Sequence, residues 1–146
     1  MIDSSERYQS LPGEPYMSEG QIRYFEDKLR RWRAELLRAS RQTIEELRNQ
    51  QHDVGDEADE STRLEAQQFE LRTRDRYRKL IRKIDEALER LADGSYGYCD
   101  LTGEPIGLAR LEARPIANLS VEAQEIKERQ ERRVRRQGNR SLYASF

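Results

Sequence analysis

The sequence of 146 residues has only one cysteine, and it has no long apolar run. A single cysteine excludes a disulfide within the chain and gives no sign of an oxidising compartment. No stretch approaches the about 18 consecutive apolar residues that a membrane-spanning helix needs. The first 17 residues lack the basic and apolar regions of a signal peptide. We therefore expect a soluble, cytoplasmic protein with no membrane partner.

Apolar residues are scarce, and charged residues are unevenly placed. The chain is 38% charged and 35% hydrophobic, with a mean hydropathy of -1.07, too little apolar material for a globular core along its whole length. The net charge of -1 gives no reason to predict nucleic-acid binding. Residues 53–60 contain five acids and no base, whereas residues 124–146 contain seven bases and three acids. Part of the protein should be elongated, with acid and base at different places.

Two long helical patterns dominate the first two thirds of the chain. After an irregular segment (1–17), Ser18 and Gln21 form a capping box, and apolar residues follow at spacings of 3 and 4. These are Ile22, Phe25, Leu29, Trp32 and Leu36, and in the second pattern Ile81, Ile84, Leu88 and Leu91. Gly94 suits a C-terminal cap. The patterns predict an antiparallel coiled-coil hairpin over 18–93, about 50 Å long, with its tip at about 52–60. Its apolar residues should be most numerous at the opposite end, the base.

The segment 94–119 has the spacing of a zinc ribbon with most of its ligands missing. Its turns predict a small knuckle with two short strands, followed by a helix over 120–137 and a flexible tail over 138–146. The ligand positions hold Cys99, Thr102, Ser120 and Ala123. The fold class is therefore mainly α: a long coiled-coil hairpin on a small globular base, plus a C-terminal helix.

Three segments carry a family resemblance. They are "EPYMSEGQIRYFEDKLRRWRAEL", "FELRTRDRYRKLIRKIDEALERLADGSYGYC" and "IGLARLEARPIANL". In this order and spacing they resemble the DksA family of bacterial RNA polymerase-binding regulators, over about residues 14–130. The resemblance implies a coil inserted into the secondary channel of RNA polymerase. It also implies shortened open-complex lifetimes, cooperation with ppGpp, repression of stable-RNA promoters and assistance to some amino-acid biosynthesis promoters.

The resemblance assigns the acidic loop a role at the coil tip. The family pattern D-x-x-D-x-A corresponds here to Asp56, Asp59 and Ser61. Ser61 departs from the alanine, and we expect it to weaken or retune the tip. The simpler interpretation is that the two aspartates only cap the second helix. Both interpretations hold together if one aspartate caps while the other reaches a partner.

Zinc-binding family members have the arrangement C-x2-C-x17-C-x2-C, and only Cys99 of its four ligands is kept here. Hydroxyl groups are poor zinc ligands and alanine offers no donor, while the single histidine, His52, belongs to the tip. We predict that no zinc is bound and that Cys99 is a packed residue. Ser120 should cap the last helix. Apolar residues should hold the base together: Tyr96, Tyr98, Leu101, Ile106, Leu108, Leu111, Ile116, Leu119 and Val121.

The resemblance also implies a ppGpp site at the polymerase interface. The matching basic residues are Arg72, Arg76, Lys83 and Arg114, but a lysine expected after the fourth ligand position is Gln124. The loss of one cation should weaken the response to ppGpp. The simpler interpretation is that these side chains are solvated or form ion pairs along the helix.

Other functions remain open from the residues alone. A Gre-like transcript cleavage factor would hold a metal ion with tip carboxylates, and a coiled-coil adaptor would use the apolar stripe alone. No glycine-rich phosphate loop or catalytic dyad is present. We expect a monomeric, non-enzymatic regulator without sequence-specific DNA binding. The basic run "RRVRR" could contact acidic protein groups or phosphates, although a solvated helix end is the simpler interpretation.

Overall fold

A computed structural model describes residues 7–53 and 59–143 of the protein. Its four helices are α1 (Glu19–Asp53), α2 (Glu60–Asp93), α3 (Leu108–Ala113) and α4 (Val121–Tyr143). α1 packs along α2 as a long hairpin, and the segments between α2 and α4 form the base. Within the described ranges, no helix is apolar enough over sufficient length to cross a membrane.

The start of α1 differs in one hydrogen bond from a regular capping box. The Ser18 hydroxyl accepts from the backbone N–H of Gln21 at 3.3 Å, as predicted. The Gln21 side chain, however, accepts from the backbone N–H of Met17 at 2.7 Å and not from that of Ser18. The reason is that the Ser18 N–H already donates to the carbonyl of Pro15. The two bonds fix the turn that leads into α1.

Three polar pairs join the two long helices at successive levels. They are Arg33 Nε to Asp85 Oδ1 at 2.7 Å, the hydroxyls of Thr43 and Tyr77 at 3.2 Å, and Arg48 Nε to Glu70 Oε1 at 3.5 Å. Positions in α2 fall as positions in α1 rise, which defines the antiparallel register. Such partly exposed pairs stabilise a fold by only about 0–1 kcal/mol each. Their main effect is to favour one register over others.

Apolar packing is concentrated at the base end of the hairpin. Four of its side chains have no exposed area: Phe25, Leu29, Ile84 and Ala87. Burying a Phe, Leu or Ile stabilises a fold by about 1.5–3 kcal/mol. Toward the tip, by contrast, Leu64, Phe69 and Leu71 each expose more than half of their area. The predicted contrast between a well-packed base end and a sparse tip end is confirmed.

The two short strands predicted in the knuckle are wrong for the described residues. The segment has a single antiparallel bridge, between Tyr98 and Pro105. Pro105 has no N–H to extend a ladder, and Gly103, with φ of 72°, turns the chain between the two sides. Two bonds of 2.8 Å, from Cys99 N to Glu104 O and from Ile106 N to Gly97 O, hold the loop together.

The C-terminal helix is longer than predicted. The Ser120 hydroxyl accepts from the N–H of Ala123 at 3.2 Å, which confirms the predicted cap. α4 then continues to Tyr143, beyond the expected end at 137 and through Gly138. A glycine inside a helix costs only about 1 kcal/mol, and the residues just before it, Arg136 and Gln137, are good helix formers. In the described part of the chain, α4 packs against no other helix.

Candidate functional site

The described half of the tip shows how α2 begins. Asp59 Oδ1 accepts from the backbone N–H of Thr62 at 2.7 Å, and this bond, with one from the Thr62 hydroxyl, lowers the pKa of Asp59. The capping role of Asp59 is therefore confirmed. Asp59 and Ser61 are both exposed, so the cap leaves these two side chains accessible to solvent. Asp56 lies outside the described residues.

Three of the four basic residues assigned to ppGpp lie on one face of α2. Arg72, Arg76 and Lys83 follow at helical spacing and are exposed. Lys79 occupies the same face and was missed, although its position between Arg76 and Lys83 would have identified it; it pairs with Asp75 at 2.9 Å. The face extends about 16 Å along the axis at about 1.5 Å per residue.

Arg114 is exposed on the base directly after α3, where its backbone N–H donates to the carbonyl of Arg110 at 2.8 Å. It is therefore carried by a different element from the basic face of α2. The neighbouring candidate position, Gln124, is half-buried and its side chain donates to Glu128 Oε1 at 2.9 Å. The basic residues thus fall into an α2 group and a base residue.

The Cys99 thiol is the centre of the zinc-ribbon frame. The residue is 3% exposed. Burial by itself raises its pKa, but hydrogen bonds from the Thr102 hydroxyl and from the backbone N–H groups of Ser120, Thr102 and Leu101 outweigh burial and lower it to about 6. The fold therefore brings Cys99, Thr102 and Ser120 together. Around the sulfur, they supply hydrogen-bond donors.

The apolar core of the base agrees with the prediction in most positions. Tyr96, Ile106, Leu111 and Leu119 are buried, and they are joined by Cys99, Ala117 and Ala123 and by the buried side chains of the hairpin. Tyr98, Leu108 and Ile116 are half-buried. Two predicted members are wrong: Leu101 is 65% exposed at the turn of the knuckle, and Val121 is 48% exposed at the first position of α4. Leu101 lies within a turn and Val121 begins a helix, so periodicity along the sequence does not fix the direction of either side chain.

The segment before α1 is anchored to the base, which was not predicted. The Tyr16 hydroxyl donates to the carbonyl of Gly97 at 2.6 Å and accepts from the N–H of Gly107 at 2.9 Å. The Tyr16 ring meets the Tyr98 ring edge-on, with centroids 5.6 Å apart. These partners are 81 or more residues away along the chain, so no local pattern could have indicated them.

Glu112 collects a second group of contacts with the N-terminal part of the chain. Its carboxylate pairs with Lys28 Nζ at 2.5 Å and accepts from the Tyr24 hydroxyl and the Tyr8 backbone N–H, both at 3.0 Å. The Lys28 and Glu112 side chains are only 14% and 15% exposed. Burial alone would raise the pKa of Glu112, but these donors lower it below its ordinary value.

Comparison with known proteins assigns the family. The family model described as DnaK suppressor protein DksA, N-terminal domain, matches residues 21–91, and the prokaryotic dksA/traR C4-type zinc finger matches residues 94–129. The RNA polymerase-binding transcription factor DksA of Caulobacter vibrioides is 53% identical over 132 residues, which cover 90% of this chain and 92% of the relative. The chain belongs to the DksA family.

Two further relatives agree with this assignment. The RNA polymerase-binding transcription factor DksA of Escherichia coli K12 is 38% identical over 133 residues, or 91% of this chain and 88% of the relative. The solved structure of transcription factor DksA2 from Pseudomonas aeruginosa is 48% identical. It has a TM-score of 0.65 and covers 80% of this chain and 90% of its own. The hairpin on a small base is thus the family fold.

The C4-type finger of the DksA family implies four zinc ligands, and the residues of this chain do not fit that set. Cys99 can provide one thiolate. The Thr102 hydroxyl accepts from Glu104 N at 3.3 Å and the Ser120 hydroxyl from Ala123 N, while Ala123 has no donor atom. Among the described residues, no group of three or more His, Cys, Asp or Glu side chains is arranged to hold a metal. The spacing of the four ligand positions is kept, but the residues at these positions form hydrogen bonds and do not make a set of zinc ligands.

Proposed function

We propose that this protein is a non-catalytic transcription regulator that binds RNA polymerase through the secondary channel. The observation that carries the proposal is the α1–α2 hairpin, about 50 Å long at about 1.5 Å per residue, with the exposed carboxylate of Asp59 at its free end. The Caulobacter and Escherichia relatives are named as RNA polymerase-binding factors. A narrow rod on a wider base suits a channel, because the rod enters and the base stops at the rim.

The tip acts on promoter complexes from this position. Asp56 and Asp59 bring negative charge close to the active centre, and Ser61 modifies the contact that an alanine would make. The expected consequence is a shorter lifetime of open complexes. Ribosomal RNA promoters are then repressed and some amino-acid biosynthesis promoters are assisted. The protein acts as a monomer in the cytoplasm.

The alarmone ppGpp strengthens this action at the interface with the polymerase. Arg72, Arg76, Lys83 and Arg114 are the candidate contacts. The basic face of α2 is about 16 Å long, more than one small ligand covers. We therefore assign Lys83, at the end of this face toward the base, and Arg114, on the base, to ppGpp, and Arg72 and Arg76 to the polymerase. Gln124 provides no cation, and we expect a weak ppGpp response.

The base works without zinc. Its fold is supported by the apolar core around Tyr96 and Leu111, by the anchored Tyr16 and by the Ser120 cap. These contacts take the place of zinc, whose binding gives small finger peptides roughly 10–16 kcal/mol of apparent stabilisation. The protein would therefore keep its activity when zinc is scarce.

Single-round transcription with purified RNA polymerase tests the proposal. The protein is added to open complexes at a ribosomal RNA promoter, with and without ppGpp, and to a backtracked elongation complex. A shorter open-complex lifetime with unchanged RNA length is expected. Shortened RNA would identify a cleavage factor instead, and failure to bind the polymerase would leave only a coiled-coil adaptor.

The hairpin supplies the control. The Asp59→Asn variant keeps an N-cap, because asparagine caps as well as aspartate, but removes the charge. It should bind polymerase and lose most of the effect on open complexes. If binding to polymerase falls as much as the effect on open complexes does, Asp59 contributes to docking and not to the action of the tip.

A further inference from the structure

α4 stands apart from the rest of the molecule. Ala123 is 1% exposed and fixes its first turn in the base, but residues 125–138 are all exposed. In the described chain, no other helix covers it. A helix whose residues 125–138 are all exposed contributes little to the core over that length, so this surface is available to a partner.

One side of this helix is a continuous arginine face. We define it as Arg129, Arg132, Arg133 and Arg136, at the spacings of 3, 1 and 3 that place side chains on one side of an α-helix. Arg132 is tied to Glu128 by a long ion pair of 4.0 Å. The other three make no side-chain ion pair with any residue that the structure describes. Four cations therefore lie within about 10 Å along the axis.

The charge and chemistry of this face limit the classes of partner that it can bind. Protein interfaces are anchored by buried apolar or aromatic side chains. The arginine face offers only Ile126, which lies at its edge three residues before Arg129, whereas Val134 projects from another side of the helix. Guanidinium groups bind phosphate oxygens through paired hydrogen bonds. Along one strand of duplex DNA, phosphates follow every about 3.4 Å of axis, so the face spans about three of them.

We propose that the arginine face of α4 binds the sugar–phosphate backbone of a nucleic acid, without reading its sequence. The net charge of -1 for the whole chain does not oppose this, because charges beyond a Debye length of about 8 Å are largely screened and the acidic tip lies at the far end of the hairpin. Glu122 and Glu125 occupy the first turns of α4, so the contact begins at Arg129. The inference is independent of polymerase binding.

Fluorescence anisotropy with the full chain and no polymerase tests the inference. The probes are a labelled duplex DNA of mixed sequence, a single-stranded RNA of equal charge and a labelled poly-glutamate of equal charge. We expect the duplex to bind with a Kd of about 1–100 μM near physiological salt. The variant R129Q/R133Q/R136Q should bind at least about tenfold more weakly. The slope of the logarithm of its binding constant against the logarithm of the salt concentration should become less steep by about 0.9 for each lost phosphate contact.

The matched control is R23Q/R30Q/R38Q, which removes the same charge from exposed positions of α1. It should bind as the unmodified protein does, and circular dichroism should show equal helix content in all three proteins. Tighter binding of the duplex than of the RNA, or the reverse, identifies which nucleic acid the face prefers. Equal losses in both triple variants, no binding of either nucleic acid at low salt, or equally tight arginine-dependent binding of poly-glutamate would each overturn the inference.

Discussion

The hydroxyl of Tyr16 donates a hydrogen bond to the carbonyl of Gly97, and through this bond the segment before α1 is fastened to the knuckle. The same oxygen accepts from the N–H of Gly107, so one side chain joins two loops of the base. Gly97 has a φ of 88°, and a Cβ there would lie 2.7 Å from Met17 Sδ. The close approach therefore requires glycine, and the N-terminal segment is part of the base.

Tyr16→Phe tests the strength of this link. The change keeps the ring against Tyr98 but leaves the Gly97 carbonyl and the Gly107 N–H without their partner. We expect a loss of about 1–2 kcal/mol in the free energy of unfolding, measured by urea titration. Tyr98→Phe is the matched control, because it removes a hydroxyl from the other ring of the same pair and should change stability little. Equal losses in both variants would show that the link does not depend on the Tyr16 hydroxyl.

The carboxylate of Glu112 predicts an acid-dependent contribution to stability. Burial of Glu112 raises its pKa, but the hydrogen bonds that it accepts from Lys28, Tyr8 and Tyr24 outweigh burial. The pKa of Glu112 in the folded protein therefore lies below its value in the unfolded chain. Its stabilisation is then fully present above the ordinary glutamate pKa of about 4.3 and is lost as pH falls through the folded value. The difference in unfolding free energy between the unmodified protein and Glu112→Gln should shrink below about pH 4.3.

Glu35→Gln provides the comparison for this pH series, since Glu35 is exposed on α1. Its difference from the unmodified protein should stay near zero at every pH. A Glu112→Gln difference that is constant from neutral to acid pH would contradict the assignment of the pKa shift to the folded state.

The residues around Cys99 predict that the stability of the protein does not depend on bound metal. Because Thr102, Ser120 and Ala123 cannot complete a zinc site, treatment with a chelator should leave the thermal midpoint and the helix content unchanged. Ser120→Ala should cost about 1 kcal/mol through loss of the α4 cap. Elemental analysis provides the decisive measurement, and one zinc per chain that resists dialysis would refute the prediction.

The features that sequence predicted correctly depend on neighbours along the chain. Each of three features follows from residues within one or two helical turns. They are the apolar stripe that includes Phe25 and Leu29, the N-cap at Asp59 and the C-terminal cap of α2 at Gly94. Gly94 adopts a φ of 85° and donates to the carbonyl of Arg90, as a left-handed cap does. Helix periodicity and capping are local physics, and a single sequence contains all the information they need.

The features that sequence missed depend on contacts across the fold. Tyr16 meets residues 81 and 91 positions away, and Glu112 meets Lys28 84 positions away. The predicted strands failed because Pro105 and the glycine turns permit only one bridge. The exposed Leu101 was assigned to the core because the alternation of apolar and polar residues does not show where the chain turns.

Asp59 separates helix stability from the action of the tip. Asp59→Ala removes the bond to Thr62 and should destabilise the start of α2 by about 1 kcal/mol, seen as faster amide exchange in the first turn. Asp59→Asn should restore the protection of that turn but not the effect on open complexes. If Asp59→Asn is as active as the unmodified protein, the residue is only a cap and its charge has no role at the polymerase.

Ser61 gives the sharpest test of the tip, because the family pattern has alanine at this position. It is exposed at the second residue of α2, where its hydroxyl would add size to the surface that, under the proposed function, approaches the polymerase. Ser61→Ala should therefore increase inhibition of a ribosomal RNA promoter in single-round transcription. Alanine also favours a helix by a few tenths of a kcal/mol, so Gln67→Ala, at an exposed position of the same helix, corrects for helix stability. If both variants increase inhibition equally, helix propensity explains the effect; unchanged or weaker inhibition by Ser61→Ala would refute a detuned tip.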